Sequence, residues 1–386
     1  MKIKNSFWHA AALAACSAFL AAFAIAQPPS PRSPQSATPK TALLVLSKQD
    51  HTLAIVDPAS LQVVARIPVG NDPHEVVAST DGRTAYVSNY GFGAFHTLAV
   101  VDLIGQKAEP QIDLGALRGP HGLAFVQGKV WFTAEAAKAI GSYDPLSAGI
   151  NWIMGTGQNR THMIYVFPDA QTILTTNVNS ATVTILEHTL GQAGGPSQGP
   201  RPAGAGSKSP GAPPWSGAGA PPPGMPRAGG PPPSPPGGDW NETVIPVGGG
   251  PEGFDVTPNG AQAWVANAWD GTLSVIDIAA KKVTATLQAN ARGANRLKFT
   301  PDGTKALVSA GGDLVIFDVD TQKEIKRLHI GRGGGGGIQV QPDGQRAYVS
   351  FAADNFVAVI DLKTLEVVGK IDAGGNPDGL AWAAQQ

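Results

Sequence analysis

Apolar residues in this chain arrive in short, strand-length runs punctuated by Gly, Asp, Asn and Pro, and past the N-terminus none repeats with a helical period. In the unit beginning at Glu252 the runs are "GFDVT", "AQAWVAN", "LSVIDI" and "VTATLQA", all rich in β-branched or aromatic residues. Two phrases recur along the chain. One is "STDGRTAYVSN", "VQGKVWFTAE", "FPDAQTILTTN", "TPNGAQAWVAN", "TPDGTKALVSA" and "QPDGQRAYVSF". The other is "LAIVDP", "LAVVDL", "IGSYDP", "VTILEH", "LSVIDI", "LVIFDV" and "VAVIDL". Most copies return after about 42 residues, a period that marks a propeller or a solenoid. Four strands per unit is the anatomy of a propeller blade. Residues 41–386 open with three strands and close with one, "DGLAWAA". Joined, these make one blade beside six complete ones. An all-β, seven-bladed propeller of four-stranded antiparallel blades is expected, closed by pairing the N-terminal strands with the C-terminal strand.

The internal copies serve as a comparison. The acid that ends the third strand is present in all of them: Asp57, Asp102, Asp144, Glu187, Asp277, Asp318 and Asp361. A residue common to every blade reads as scaffold, here a carboxylate that takes backbone N–H groups of the following turn. The position opening the innermost strand differs. It reads His74, His121, His162, Glu252, Asn295, Gly336 and Asp378. Innermost strands line the central channel, so three imidazoles and a carboxylate are expected side by side around one mouth. His74, His121, His162 and Glu252 form a sensible first shell for zinc, copper, iron or manganese. With Asn295 and Asp378 they could equally hold a polar ligand without metal, or pack between blades. Glu135, in a loop between two of the histidines, is the candidate catalytic base. Arg118, Arg160, Arg292 and Arg332 fall in inter-blade loops at the same mouth, and Gly333–Gly337 is expected to widen or loosen one sector of the rim.

Composition adds four points. Lys2 and Lys4, an apolar stretch and Ala24-Ile25-Ala26 read as an export signal over residues 1–26. Periplasmic export follows, with lipid anchoring through Cys16 or a cell-surface location as alternatives, and no transmembrane span in the mature chain. Cys16 is the only cysteine, so a chain cleaved after Ala26 has no disulfide, thiol nucleophile or covalently attached c-type haem. Residues 27–40 read as a Pro/Ser linker, and 191–239 as a disordered Gly/Pro-rich insertion within one blade. The 28 basic and 29 acidic residues nearly cancel, which argues against nucleic acid as partner.

"YVSN", "WVAN" and "YVSF", with "PDG" turns and "VIDL", resemble the YVTN-repeat family of seven-bladed propellers. "PHEV", "PHGLAF" and "THM" resemble its YncE-like exported members. The resemblance covers residues 41–386 apart from the insertion. It implies the fold, and for function it leaves binding platform and enzyme scaffold both open. The leading expectation is a monomeric, exported platform binding a small ligand, metal or protein partner at the His/Glu mouth. The alternatives are a metal-dependent lactonase, lyase or hydrolase at that site, and single-stranded nucleic acid binding, which only the resemblance suggests.

Overall fold

The computed structural model describes residues 36–189 and 239–386. In these, 28 strands form seven four-stranded antiparallel sheets. Blade 1 runs Pro73–Asp113, blade 2 Pro120–Gly155, blade 3 Thr161–Pro246, blade 4 Pro251–Gln288, blade 5 Ala294–His329 and blade 6 Gly335–Ile371. Blade 7 is composite. Its innermost strand, Pro377–Ala384, pairs with Thr41–Ser47, and Thr52–Asp57 and Gln62–Pro68 follow outward. The expected ring closure is therefore made.

The expected signal 1–26, with Cys16, lies outside the described residues, as does the expected insertion up to Gly238. Strands Thr182–Thr189 and Asp239–Pro246 flank that insertion and pair from Thr189 opposite Asp239. Ser36–Lys40, the end of the expected linker, is tied to the propeller. Gln106 Nε2 donates to Ser36 O at 2.7 Å, and the Thr38 hydroxyl donates to Leu103 O at 2.5 Å.

The apolar core lies between blades. Trp264 of blade 4 is fully buried, 5.7 Å from Phe299 and 6.5 Å from Phe317 of blade 5. Burying such a side chain stabilises the fold by on the order of 1.5–3 kcal/mol. The third-strand acids cap their turns: Asp361 Oδ1 accepts from the Lys363 and Thr364 amides at 2.9 and 2.8 Å. Glu187, the one Glu in that column, instead pairs with Lys281.

Three local features deliver the variable column to the channel. First, the residue two before it is left-handed in every blade: Asp72, Gly119, Arg160, Gly250, Gly293, Gly334 and Asn376 have φ between 48° and 73°. Second, the pairing register shifts just after the strand begins, as between Pro73 and Val76, Pro120 and Leu123, and Thr161 and Ile164. The variable residue sits inside that bulge, and bulges re-aim side chains. Third, a hydroxyl on the second strand joins one bulge to the next. Thr133 Oγ1 accepts from Gly122 N at 2.9 Å and donates to His162 O at 2.7 Å. Thr176 does the same between Met163 N and Glu252 O, and Ser309 between Arg296 N and Gly336 O. This relay fixes the backbone and leaves the side chain free to differ. Thr133→Val removes both bonds from a buried amide and carbonyl, so it is expected to cost about 1–3 kcal/mol in urea denaturation. No measurable cost would show that the relay holds nothing.

Within the Gly333–Gly337 sector, Gly333 faces open space and Gly337 is close-packed. A Cβ on Gly337 would lie 2.4 Å from Asp378 O, so this glycine lets two innermost strands pack closely.

Candidate functional site

The bulges bring His74, His121 and His162 together as a row of rings, the first pair edge-on at 65° and the second tilted at 39°. The His74 and His121 centroids are 4.2 Å apart, and those of His121 and His162 are 3.8 Å apart. Each ring has a different environment.

His162 is buried between two carboxylates. Its Nδ1 is hydrogen-bonded to Glu135 Oε1, and its Nε2 lies 2.6 Å from Glu252 Oε2 without hydrogen-bond alignment. Arg160 bridges the same pair, with NH1 3.2 Å from Glu252 and Nε 3.5 Å from Glu135. Tyr90 donates to Glu135 Oε2 at 2.5 Å. Burial opposes a charge on His162, but Glu252 and Glu135 outweigh it and hold its pKa above the ordinary value. Burial pushes the Glu252 carboxyl up, and His162 and Arg160 overcome this to bring it down to about 2. Glu135 is lowered for the same reasons.

His121 is the opposite case. It is 0% exposed, and neither ring nitrogen has a hydrogen-bond partner among the described residues. Burial foremost, then the nearby His162, His74 and arginine charges, drive its pKa well below the ordinary value. His74 belongs to a separate group. Its Nδ1 contacts Lys48 Nζ and lies 3.3 Å from Asp378 Oδ2, and Lys48 is 3.0 Å from Asp72 and 3.4 Å from Asp378. Its pKa is lowered, chiefly by burial and then by Lys48.

One donor atom each from His121, Glu135 and His162 lies within 4.8 Å of the others, the only such group among the described residues. His74 and Glu252 of the expected four-residue set stand beside this group. Asn295 accepts from Arg296 NH1 through both its Oδ1, at 2.8 Å, and its backbone oxygen, at 3.0 Å.

Glu135 enters the group by register. Pro120 pairs with Ala134, as Pro73 pairs with Asn89, so Ala134 takes the place of the recurrent Asn and Glu135 that of Tyr90. Both follow a second strand, and both reach the histidine of the next blade. The recurrent Asn is scaffold: Asn177 Nδ2 donates to Thr182 and Thr184, and Asn267 Nδ2 to Thr272 and Ser274.

Arg160 stands out for its backbone. Gly, Asp and Asn occupy the other six left-handed positions, and these types tolerate that conformation. Arginine there costs about 1–2 kcal/mol, and its side chain ties Glu135 to Glu252. Sequence comparison of the copies passed over Glu75 and Arg296. They form a buried ion pair between the innermost strands of blades 1 and 5, across the channel. They share the column that reads Gly379, Glu75, Gly122, Met163, Gly253, Arg296 and Gly337. Two opposite charges in that column were the available signal.

Among solved structures the chain is similar to a functionally unknown protein from Desulfotomaculum acetoxidans, at 13% identity and TM-score 0.66, covering 89% of this chain and 99% of that one. A 6-phosphogluconolactonase candidate from Bacteroides uniformis matches at 13% identity and TM-score 0.63, with coverage of 89% and 99%. Hydrazine synthase from Kuenenia stuttgartiensis matches at 14% identity and TM-score 0.59, with coverage of 80% and 89%. The likeness is one of fold. No family model matches the chain, and neither does any curated protein. Among the described residues no helix is long and apolar enough to cross a membrane.

Proposed function

We propose that this protein is an exported, YVTN-like propeller that holds a divalent metal through His121, His162 and Glu135 and binds a small ligand at that mouth. The observation that carries this reading is His121, a fully buried imidazole with both nitrogens unpartnered, beside a carboxylate and a second imidazole. An unpaired buried polar group costs about 1–3 kcal/mol, and a metal bond would offset that cost. Two imidazoles and one carboxylate suit zinc or non-haem iron. Such an ion supplies an open, Lewis-acidic coordination position when bound. The chain's own residues have definite parts. Tyr90 and Arg160 orient Glu135, Arg160 pairs with Glu252, and the Thr133 relay fixes His162.

A second reading, a metal-assisted lactonase, lyase or hydrolase, is favoured by Glu252. This carboxylate is in contact with His162 and lines an open cavity, where it could accept a hydrogen bond from a bound ligand and orient it beside the metal site.

Metal analysis of tag-free protein is the test. Near-stoichiometric zinc or iron in the wild type is expected, with loss in the His121→Ala/His162→Ala variant and in Glu135→Gln. Wild-type protein that stays metal-free after incubation with zinc, iron, copper and manganese salts would sink the metal reading.

A further inference from the structure

Beside the row of histidines a cavity of about 550 Å³ opens, lined by Glu252, Trp269, Arg292 and Asn295 together with Ala268, Gly293 and Ala294. Trp269 is 53% exposed, yet it is held in place. A Cβ on Gly250 would meet the indole at 2.6 Å, so one part of the ring lies directly on this glycine's backbone. The Trp269 amide donates to Gly249 O at 3.1 Å, and Asp270 accepts from the Gly249 amide at 2.5 Å. A large apolar ring fixed on a glycine and left half open is a stacking surface.

The polar groups around it are donors in excess. Arg292 is exposed, and its guanidinium forms no ion pair or hydrogen bond among the described residues. Asn295 spends its oxygen on Arg296, which leaves its amide N–H groups without a partner among the described residues. Glu252 is the one acid in the lining, and Arg160 is ion-paired with it at 3.2 Å.

We propose that this cavity binds a small ring compound bearing an anionic oxyacid group, with the ring face on Trp269 and the acid on Arg292 and Asn295. The inference rests on reading the mouth as a ligand site, and it specifies the ligand. A flat aromatic ring and a sugar ring share this chemistry.

Calorimetric titration of metal-free and zinc-loaded wild type with benzoate and with glucuronate tests it, with benzyl alcohol and glucose as neutral counterparts. At least one carboxylate is expected to bind saturably and about tenfold more tightly than its counterpart, the effect of one charge-assisted hydrogen bond. Benzoate alone would assign an aromatic ligand, and glucuronate alone a sugar acid. Arg292→Gln should abolish the preference, and Trp269→Ala should weaken binding about tenfold. Both changes are on the surface, and an unchanged melting temperature would show that each variant folds. No saturable binding of either carboxylate, or a preference that survives Arg292→Gln, would overturn the inference. Zinc stoichiometry on the same samples separates the two proposals. Zinc bound with carboxylates ignored sinks this one alone. Carboxylates bound by a protein that never takes metal sinks the metal reading alone.

Discussion

His121→Leu is expected to bind no metal and, in chelator, to be more stable than wild type by about 1–3 kcal/mol. Ordinary core residues behave the other way, because replacing a well-packed, well-bonded side chain costs stability. Here the side chain replaced is fully buried with two unpartnered nitrogens. Leucine brings an apolar surface into the same space and leaves no polar atom unpaired. Stability lost for the sake of a site is the signature of a functional residue. The pH dependence gives a second readout. The folded state holds the His121 pKa well below the ordinary value. Below about pH 6.5 the unfolded chain therefore binds a proton that the folded chain refuses, and stability falls as pH drops. His74, also lowered, acts in the same direction. His162, raised by its carboxylates, acts oppositely: its contribution is full below the unfolded pKa and is lost as pH rises through the folded one. Removing His121 should flatten the acid slope. Urea midpoints at about pH 7.5 and about pH 5.5, with and without EDTA, test both statements. A variant less stable than wild type in EDTA would make His121 a packing residue.

The fold was legible because a repeat states its own scaffold. Seven copies of the third-strand phrase and the split between three opening strands and one closing strand determine blade number and ring closure. The histidine column was legible for the same reason, since its copies differ where scaffold positions agree. What the copies could not reveal was pairing across the ring. Glu135 was singled out, but its contact with His162 depends on a turn from one blade reaching a bulge in the next. Lys48 meets His74 from blade 7 and is itself paired with Asp72 of an inter-blade turn. The cost of Arg160 shows only in its φ of 57°. The first two depend on relations between blades, which a comparison within aligned units leaves out, and the third on a backbone angle.

The second large effect is expected at the channel brace. Glu75→Leu should cost about 3–5 kcal/mol, because it strands the buried Arg296 charge. Glu75 and Arg296 are 9% and 5% exposed, and they belong to blades that are not neighbours. Among the described residues Glu75 is the only acid ion-paired with this guanidinium, whose NH1 donates to Asn295. Glu75→Leu combined with Arg296→Met should recover most of the loss, since an apolar pair of similar volume needs no compensating charge. A double-mutant cycle in urea measures this, with a coupling energy large beside either residual effect. The brace also divides the channel. Above it stand the histidines and Glu252; beneath it lies a cavity of about 300 Å³ lined in part by Phe125, Tyr165, Lys298 and Gln339. If Glu75→Leu costs less than about 1 kcal/mol, the guanidinium must be hydrated in place. Water would then pass between the two compartments, and the channel would be open from one face of the propeller to the other. A cost of the expected size means that the brace is dry. In that case the mouth is a closed-bottomed site, and a ligand reaches the histidines only from the face that carries Trp269 and Arg292.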